Sequence, residues 1–207
     1  IETSPEVYNR KNLKRINSVY QDVKIILNVN PIETFIKTVP SDLENKKFDD
    51  PEMISRFKKL LDIIFSDLSG LDFDAFLIGN EVNMYLDESQ EWESFKIFYK
   101  EIREYVKAKH PGIKVSIATA AGFVENTQGY KSENIKEILE YSDLFLVTLY
   151  PPDIEGIEEA FNSLDNEFDK PIYIQEIGYS SNTKLGSSEE KQGEFVKEIF
   201  TLMKNST

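Results

Sequence analysis

Five short runs in this sequence are apolar without clean alternation: "VKIILNV" (23–29), "FDAFLIGN" (73–80), "KVSIATA" (114–120), "LFLVTLY" (144–150) and "PIYIQEI" (171–177). Successive side chains of a strand point to opposite faces, so a strand with one wet face alternates apolar and polar residues. Near-continuous runs rich in Ile, Val, Leu and Phe need cover on both faces, which is the condition of strands in a parallel sheet. No other feature restricts the possible folds as much.

The segments between the runs carry helical patterns. "DDPEMISRFKKLLDIIFSDL" sets Asp50 before Pro51, a start signal, and spaces Met53, Ile54, Phe57, Leu60, Leu61 and Ile64 for one helix face. "EWESFKIFYKEIREYVKAKH" aligns Trp92, Phe95, Phe98 or Tyr99, Ile102 and Val106, then stops at His-Pro-Gly. "SENIKEILEYSD", "GIEEAFNSLDNEF" and "SSEEKQGEFVKEIFTLMK" repeat the idea, and residues 5–19 read as a helix ahead of the first strand. In the last of these helices Ser187 or Ser188 is the expected N-cap.

Such βαβα alternation defines an α/β fold with a parallel sheet. A complete (β/α)8 TIM barrel takes about 250 residues. Five strands in 207 residues therefore predict one domain over 1–207, an incomplete barrel from roughly strand 3 to helix 7. The first strands and the last would be lacking, with Ile1 to Thr3 as the tail of an earlier strand. A doubly wound open sheet is the competitor, but no Gly-rich phosphate loop follows any strand.

Composition narrows the partners. Against 24 basic residues stand 37 acidic ones, and a net charge of −13 repels a phosphate backbone, so nucleic acid is not an expected partner. No apolar run approaches the roughly 18 residues that span a bilayer. Without cysteine, and with His110 as the only histidine, neither a thiol nucleophile nor a multi-histidine metal site can form. No metal and no cofactor are expected. The edge strands of an incomplete barrel are expected to favour self-association.

Parallel α/β proteins gather their chemistry at the C-terminal ends of the strands. Read in order, those ends carry Asn28 and Asn30, Asn80-Glu81, Thr119, Tyr150, and Gln175-Glu176. One strand-end glutamate is more often a helix cap or a salt-bridge partner. Two of them, each following an amide side chain on a different strand, make a pair that faces across the mouth of a barrel. Carboxyls about 5–5.5 Å apart are what retaining glycoside hydrolysis requires, one as nucleophile and one as acid and then base. The expected partner is therefore a carbohydrate. Tyr85, read as lying in the loop beyond Glu81, is a candidate for stacking on a sugar, and Asn30 for contacting it. Trp92, at helical spacing, is expected in the core. Asp72, Asp74, Asp87 and Glu88 read as a solvated acidic rim, and Pro151-Pro152 as a stiff loop with one bond open to the cis form.

"GNEVN" at the second run and "IQEIGY" at the fifth resemble the clan A glycoside hydrolases, retaining (β/α)8 enzymes with Asn-Glu ending the fourth strand and Glu ending the seventh. The likeness covers nearly the whole chain, because the number of strands between the motifs also fits. It implies Glu81 as acid/base, Glu176 as nucleophile, Asn80 as hydrogen-bond partner of the sugar 2-hydroxyl, and Tyr150 as a contact of the nucleophile. The string "QEIGYSSNTKLGSSEEKQGEFVKEIF" resembles a less studied branch of these barrels. The expected activity is hydrolysis of a β-linked oligo- or polysaccharide, for which an extracellular, periplasmic or cell-surface site is the natural one. The alternative is a carbohydrate-binding or scaffolding barrel without turnover.

Overall fold

Cover on both faces is what the central strand runs receive, while the first and last runs stay half-exposed. The computed structural model describes residues 2–4, 7–8, 10–20, 22–121, 133–150, 158, 162 and 169–205. Its elements run β1 (Glu2–Ser4), β2 (Val7–Tyr8), α1 (Lys11–Val19), β3 (Lys24–Glu33), β4 (Ile36–Lys37), α2 (Pro51–Asp67), β5 (Asp72–Asn80), α3 (Val82–Ser89) and α4 (Trp92–Lys109). They continue with β6 (Lys114–Ser116), β7 (Ala118–Ala121), α5 (Glu133–Tyr141), β8 (Phe145–Leu149), β9 (Ile172–Ile177) and α6 (Glu189–Asn205).

β3, β5 and β6 pair in parallel, as do β7, β8 and β9. β6 and β7 are two halves of one run interrupted at Ile117, the first half bonded to β5 and the second to β8. All five expected strands are therefore present and parallel, in sequence order. Among the described residues the sheet stays open, with the two-residue β4 outside β3 at one edge and β9 at the other. Pro31 lies within β3 in the stretch between Val29 and Glu33 where pairing with β5 is irregular, a place where a residue without an N–H is tolerated.

The helices pack on one face. Phe76, Ile78, Val115, Ile117, Phe145 and Val147 from the strands meet Phe57, Phe95, Phe98, Tyr99, Ile102 and Ile138 from the helices, all buried. Phe48, fully buried, is the aromatic hinge of this layer, with its ring 5.2 Å from Phe95 and 5.6 Å from Phe98. The other face is smaller: Ala75, Leu77, Ala118, Leu144 and Leu146 form a separate cluster with Tyr173. At its far end Lys114 donates to both Asp74 and the Tyr173 hydroxyl. Local signals act as expected at several helix ends. Asp50 accepts from the Glu52 N–H at 2.8 Å with Pro51 in the first turn of α2, and the Ser188 hydroxyl accepts from the Lys191 N–H at 3.2 Å.

The register slips where the site residues begin. Phe76 and Ile78 face the helices, so strict alternation would send Asn80 with them. Instead Asn80 bonds Gln175, which lies two residues beyond the inward Tyr173. The break falls at Gly79, whose φ of +89° is open to glycine at little cost. On β9, Ile172, Ile174 and Ile177 pack on the helix side, a spacing of two and then three. Between them Val147 pairs with Ile174 but Thr148 with Glu176, so Gln175 is an extra residue. This bulge keeps Glu176 off the helix face that alternation would assign it.

Several expectations need correction. Residues 5–19 are not one helix: β1 and β2 form a small antiparallel pair, and helix begins only at Lys11. Tyr85 is in α3 and not in a loop. The acidic residues flanking β5 are not a uniformly solvated rim, since Asp74 pairs with Lys114 at 3.0 Å and Asp87 accepts from the Trp92 indole at 2.8 Å. Pro151-Pro152 and most of the helical pattern at 156–168 lie outside the described residues.

A Cβ added at Gly79 would stand 2.4 Å from Val82 Cγ1, on a backbone that L-residues resist. Gly79→Ala is expected to cost at least about 1–3 kcal/mol, measured by urea unfolding. Gly112→Ala, where an added Cβ meets nothing within 4 Å, is the control and should change stability little.

Candidate active site

The site is assembled from four strand ends, those of β3, β5, β8 and β9. β5 stops at Asn80, and Glu81 follows in the left-handed region with φ 47° and ψ 42°, immediately ahead of α3. A residue in that position commonly caps the helix. Glu81 makes no cap, because its carboxylate turns to the β3–β4 hairpin and accepts from the Thr34 hydroxyl at 2.7 Å. Thr34 is itself left-handed, with φ 53°, and its N–H donates to the Asn80 carbonyl at 2.9 Å. Glu33, its neighbour, accepts from the Asn80 amide at 2.8 Å and also from the Asn30 amide. Asn80 in turn accepts from the Gln175 amide at 3.1 Å, which ties β5 to β9 across the inner face.

The two glutamates live in different surroundings. Glu81 is 6% exposed, whereas Glu176 is exposed. Burial, then the charges of Glu176 and Glu33, push the Glu81 carboxyl above the ordinary glutamate range, against the pull of the Thr34 hydroxyl. Tyr150, just past β8, donates its hydroxyl to Glu176 at 3.0 Å. Burial, then that bond and the Glu176 and Glu81 charges, raise the Tyr150 hydroxyl as well, so it remains a donor. Behind the ring sits Gly178, where an added Cβ would lie 2.7 Å from Tyr150 Cε1.

Asn30 and Asn80 are joined through Glu33, Glu81 is held beside them by Thr34, and the Tyr150–Glu176 pair adjoins them through Gln175, near enough for the Glu176 charge to act on Glu81. Two other candidates do not join this group. The Tyr85 hydroxyl donates to Glu91 at 3.2 Å and its ring meets Phe48 edge-on at 6.4 Å, so it belongs to the helix layer. Thr119, fully buried, donates to the Leu146 carbonyl at 3.3 Å and joins two strands. Trp92 is buried in the core, as expected from its spacing.

Sequence reasoning missed Glu33, Thr34 and Asn83. Asn83 clamps α3 to β7 by giving its amide to the Ala120 carbonyl at 3.1 Å and taking the Ala120 N–H at 2.8 Å. The polar "NPIETF" ending of the first run carried the only signal for Glu33 and Thr34. A cavity of about 320 Å³ opens beside β3 and α2, lined by Asn28 and Asn30 but mainly by apolar residues, and it reaches neither glutamate of the pair. Among the described residues no group of acidic or histidine side chains is arranged to hold a metal ion.

No protein-family model matches the sequence, and no curated protein matches it either. Solved structures do. The chain is similar to β-glucuronidase 2 of Bacteroides uniformis, a structure covalently bound to cyclophellitol-6-carboxylate aziridine, with a TM-score of 0.68 and 12% identity over 100% of this chain and 24% of that one. It is similar to the GH53 catalytic domain of Ignisphaera aggregans, with a TM-score of 0.66 and 16% identity over 91% of this chain and 60% of that one. A β-1,3-glucanase and allergen of Cryptomeria japonica pollen gives a TM-score of 0.61 and 15% identity, covering 92% and 70%. These neighbours are glycoside hydrolases, and at such identities the likeness is one of fold. The chain spans about a quarter of the glucuronidase and three fifths of the GH53 domain.

The raised Glu81 carboxyl has a consequence for stability. Folding strengthens its hold on the proton, so this contribution is complete below the ordinary glutamate range and is lost as pH climbs through the raised value. Glu81→Gln removes the group, so the variant should gain on the parent in thermal unfolding as pH rises from about 4 to about 8. A gap that narrows with rising pH would contradict the assigned direction. Gly178→Ala is expected to displace the Tyr150 ring and break its bond to Glu176, read as a downward shift in the Tyr150 titration.

Proposed function

We propose that the protein is a retaining glycoside hydrolase that cleaves a β-linked oligo- or polysaccharide, built on the part of a clan A (β/α)8 barrel from strand 3 to helix 7. The observation that carries this reading is the contrast between the two strand-end glutamates. One is buried and favours its proton, and the other is exposed and hydrogen-bonded by a tyrosine. Two carboxyls whose environments push their proton affinities apart are suited to an acid and a nucleophile in one site. The likeness of fold to glycoside hydrolases supports the same class.

In the proposed course Glu81 gives its proton to the glycosidic oxygen while the Glu176 carboxylate attacks the anomeric carbon from the opposite face. The C–O bond to the leaving group breaks, and a covalent glycosyl-enzyme forms. Glu81, now a carboxylate, takes a proton from water, whose oxygen displaces Glu176 and restores the original anomer. Tyr150 holds Glu176 in one rotamer for attack. Asn80, fixed by Glu33 and Gln175, has one amide hydrogen left for the sugar 2-hydroxyl, and Asn30 extends the contacts. Tyr85 has no part in this scheme.

The exposure of Glu176 favours a second reading, a barrel that binds saccharide without turning it over. Incubation with a panel of β-linked polysaccharides and aryl β-glycosides, followed by NMR of the first-formed anomer, separates the two. The expected result is release of the β-anomer. Glu81→Gln should lower turnover by about 10²–10⁴-fold, less for substrates whose leaving group needs no proton, and Glu176→Gln should abolish it. Parental turnover in either variant, or an inverted product, overturns the assignment.

A further inference from the structure

The β3–β4 hairpin closes on a turn that its own residues do not favour. Glu33 pairs with Ile36, which leaves Thr34 and Phe35 as the two turn residues. Two-residue hairpin turns are usually built from Gly, Asn or Asp, which accept positive φ at little cost. Here a β-branched residue takes the left-handed position, with φ 53°, and a phenylalanine follows it. Phe35 is 57% exposed and Ile36 63% exposed, so the core recovers neither side chain. A single exposed apolar residue needs no explanation. A pair of them, on a turn with unsuitable local chemistry at the mouth of a site, points to a contact made with a ligand.

The turn is held from both sides. Toward the site, the Thr34 N–H donates to the Asn80 carbonyl at 2.9 Å and the Thr34 hydroxyl to the Glu81 carboxylate at 2.7 Å. Toward the helix layer, the Lys37 side chain is only 9% exposed and donates to the Lys46 carbonyl and to Glu91, the latter at 3.3 Å. Its ammonium lies 4.4 Å from the centre of the Phe48 ring. The Thr38 N–H closes the base of the hairpin on the Pro31 carbonyl at 2.9 Å. Phe35 is therefore carried on a fixed element, one residue from the group that bonds Glu81. In the order of the strands β3 and β4 lie beyond β5, so Phe35 stands on the far side of Glu81 from Glu176.

We propose that Phe35, with Ile36 beside it, is a platform for a second sugar ring, the neighbour of the ring held between the two glutamates. The face of a pyranose presents C–H groups, which pack on the electron-rich face of an aromatic ring while the hydroxyls at the sugar's rim stay in water. Such a platform needs an exposed ring, a rigid support and a place next to the bond that breaks. The exposure of Phe35, the Lys37 anchor and the Thr34–Glu81 hydrogen bond supply the three in turn. The substrate class this selects is a chain of at least two pyranoses, in preference to a single sugar on a small leaving group. The proposal rests on the reading of this site as a saccharide site, but it does not require turnover.

The test is calorimetric titration of the full chain carrying Glu176→Gln, so that ligand is not consumed. The probes are cellotetraose, laminaritetraose, β-linked mannotetraose and xylotetraose, with the methyl β-glycosides of the same sugars. For a tetrasaccharide that binds, adding Phe35→Ala should weaken affinity at least ~10-fold, and Phe35→Tyr or Phe35→Trp should keep it. Monosaccharide binding should change little. Phe200→Ala removes a similarly exposed ring on α6, is the control, and should change neither. An unchanged affinity in Phe35→Ala, a loss that both aromatic variants share, or an equal loss for the monosaccharide or in Phe200→Ala overturns the proposal, as does no tetrasaccharide bound. A sedimentation coefficient that falls with Phe35→Ala overturns it too, since a second copy then covers the pair. Cleavage of the same tetrasaccharides at low concentration is followed in the chain that keeps Glu176. Ring-dependent binding without cleavage sinks the hydrolase reading and leaves this one standing, while cleavage that Phe35→Ala does not slow does the reverse.

Discussion

Two left-handed residues bonded to each other hold this site together. Thr34 and Glu81, at φ 53° and 47°, sit on different strands' ends, and the hydroxyl of one donates to the carboxylate of the other at 2.7 Å. A non-glycine residue held in that region costs on the order of 1–3 kcal/mol, and a β-branched threonine is among the least willing. Such residues persist only where their surroundings over-determine them. Here Thr34 is tied by its N–H to the Asn80 carbonyl at 2.9 Å, and the Glu81 carbonyl receives the Met84 N–H at 3.0 Å. The local strain keeps the Glu81 carboxylate away from the helix end it precedes and turns it toward the mouth of the sheet.

The same arrangement explains why one carboxyl favours its proton and why the protein carries a cost there. Glu81 is desolvated and has two other glutamates for neighbours, so its charged form is disfavoured twice over. The Thr34 hydroxyl only partly offsets this. A core optimised for stability would place a glutamine or an apolar residue at such a point, and sites that retain an ill-suited group generally do so for activity. The side-chain oxygens of Asn30 and Gln175, buried without a partner among the described residues at either end of the Glu33–Asn80 hydrogen-bond chain, extend the cost at about 1–3 kcal/mol each. Energy is thus held in one small region, while the helix layer around Phe48, Phe95 and Phe98 is packed in the ordinary way.

How much of this was legible in the sequence follows from which residues obey simple periodicity. The five strands were legible as continuous apolar runs, which burial on both faces explains for the central ones though β3 and β9 stay half-exposed, and α2 and α4 because their apolar residues recur at helical spacing. Asn80, Glu81, Gln175 and Glu176 were visible as polar residues abruptly ending such runs. Glu33 and Thr34 were not, since their importance comes from a hydrogen bond between residues 47 positions apart. Tyr85 was misplaced because α3 begins directly after the strand: with Glu81 bent into the left-handed region the chain needs no loop, and the tyrosine turns into the helix layer. The β1–β2 pair was also missed, because two short segments with few apolar residues resemble the polar start of a helix.

Regular alternation alone could not have built this site. It needs Asn80 with Glu81, and Gln175 with Glu176, on the open side of a sheet whose strands alternate strictly between helices and interior. Neighbouring residues cannot share a face unless the alternation fails between them or just before them. On β5 the failure is Gly79 followed by a left-handed Glu81, and on β9 it is an extra residue opposite the Val147–Thr148 step. On β3 the pairing jumps from Val29 against Ile78 to Glu33 against Asn80, which brings the Asn30 and Asn80 amides onto the same Glu33 carboxylate. Three strands each give up ladder regularity at the same end of the sheet. Burial demands regularity over the strands' length, and the meeting of carboxylates demands its loss at their tips, so the boundary between fold and site in this protein is the point where the register slips.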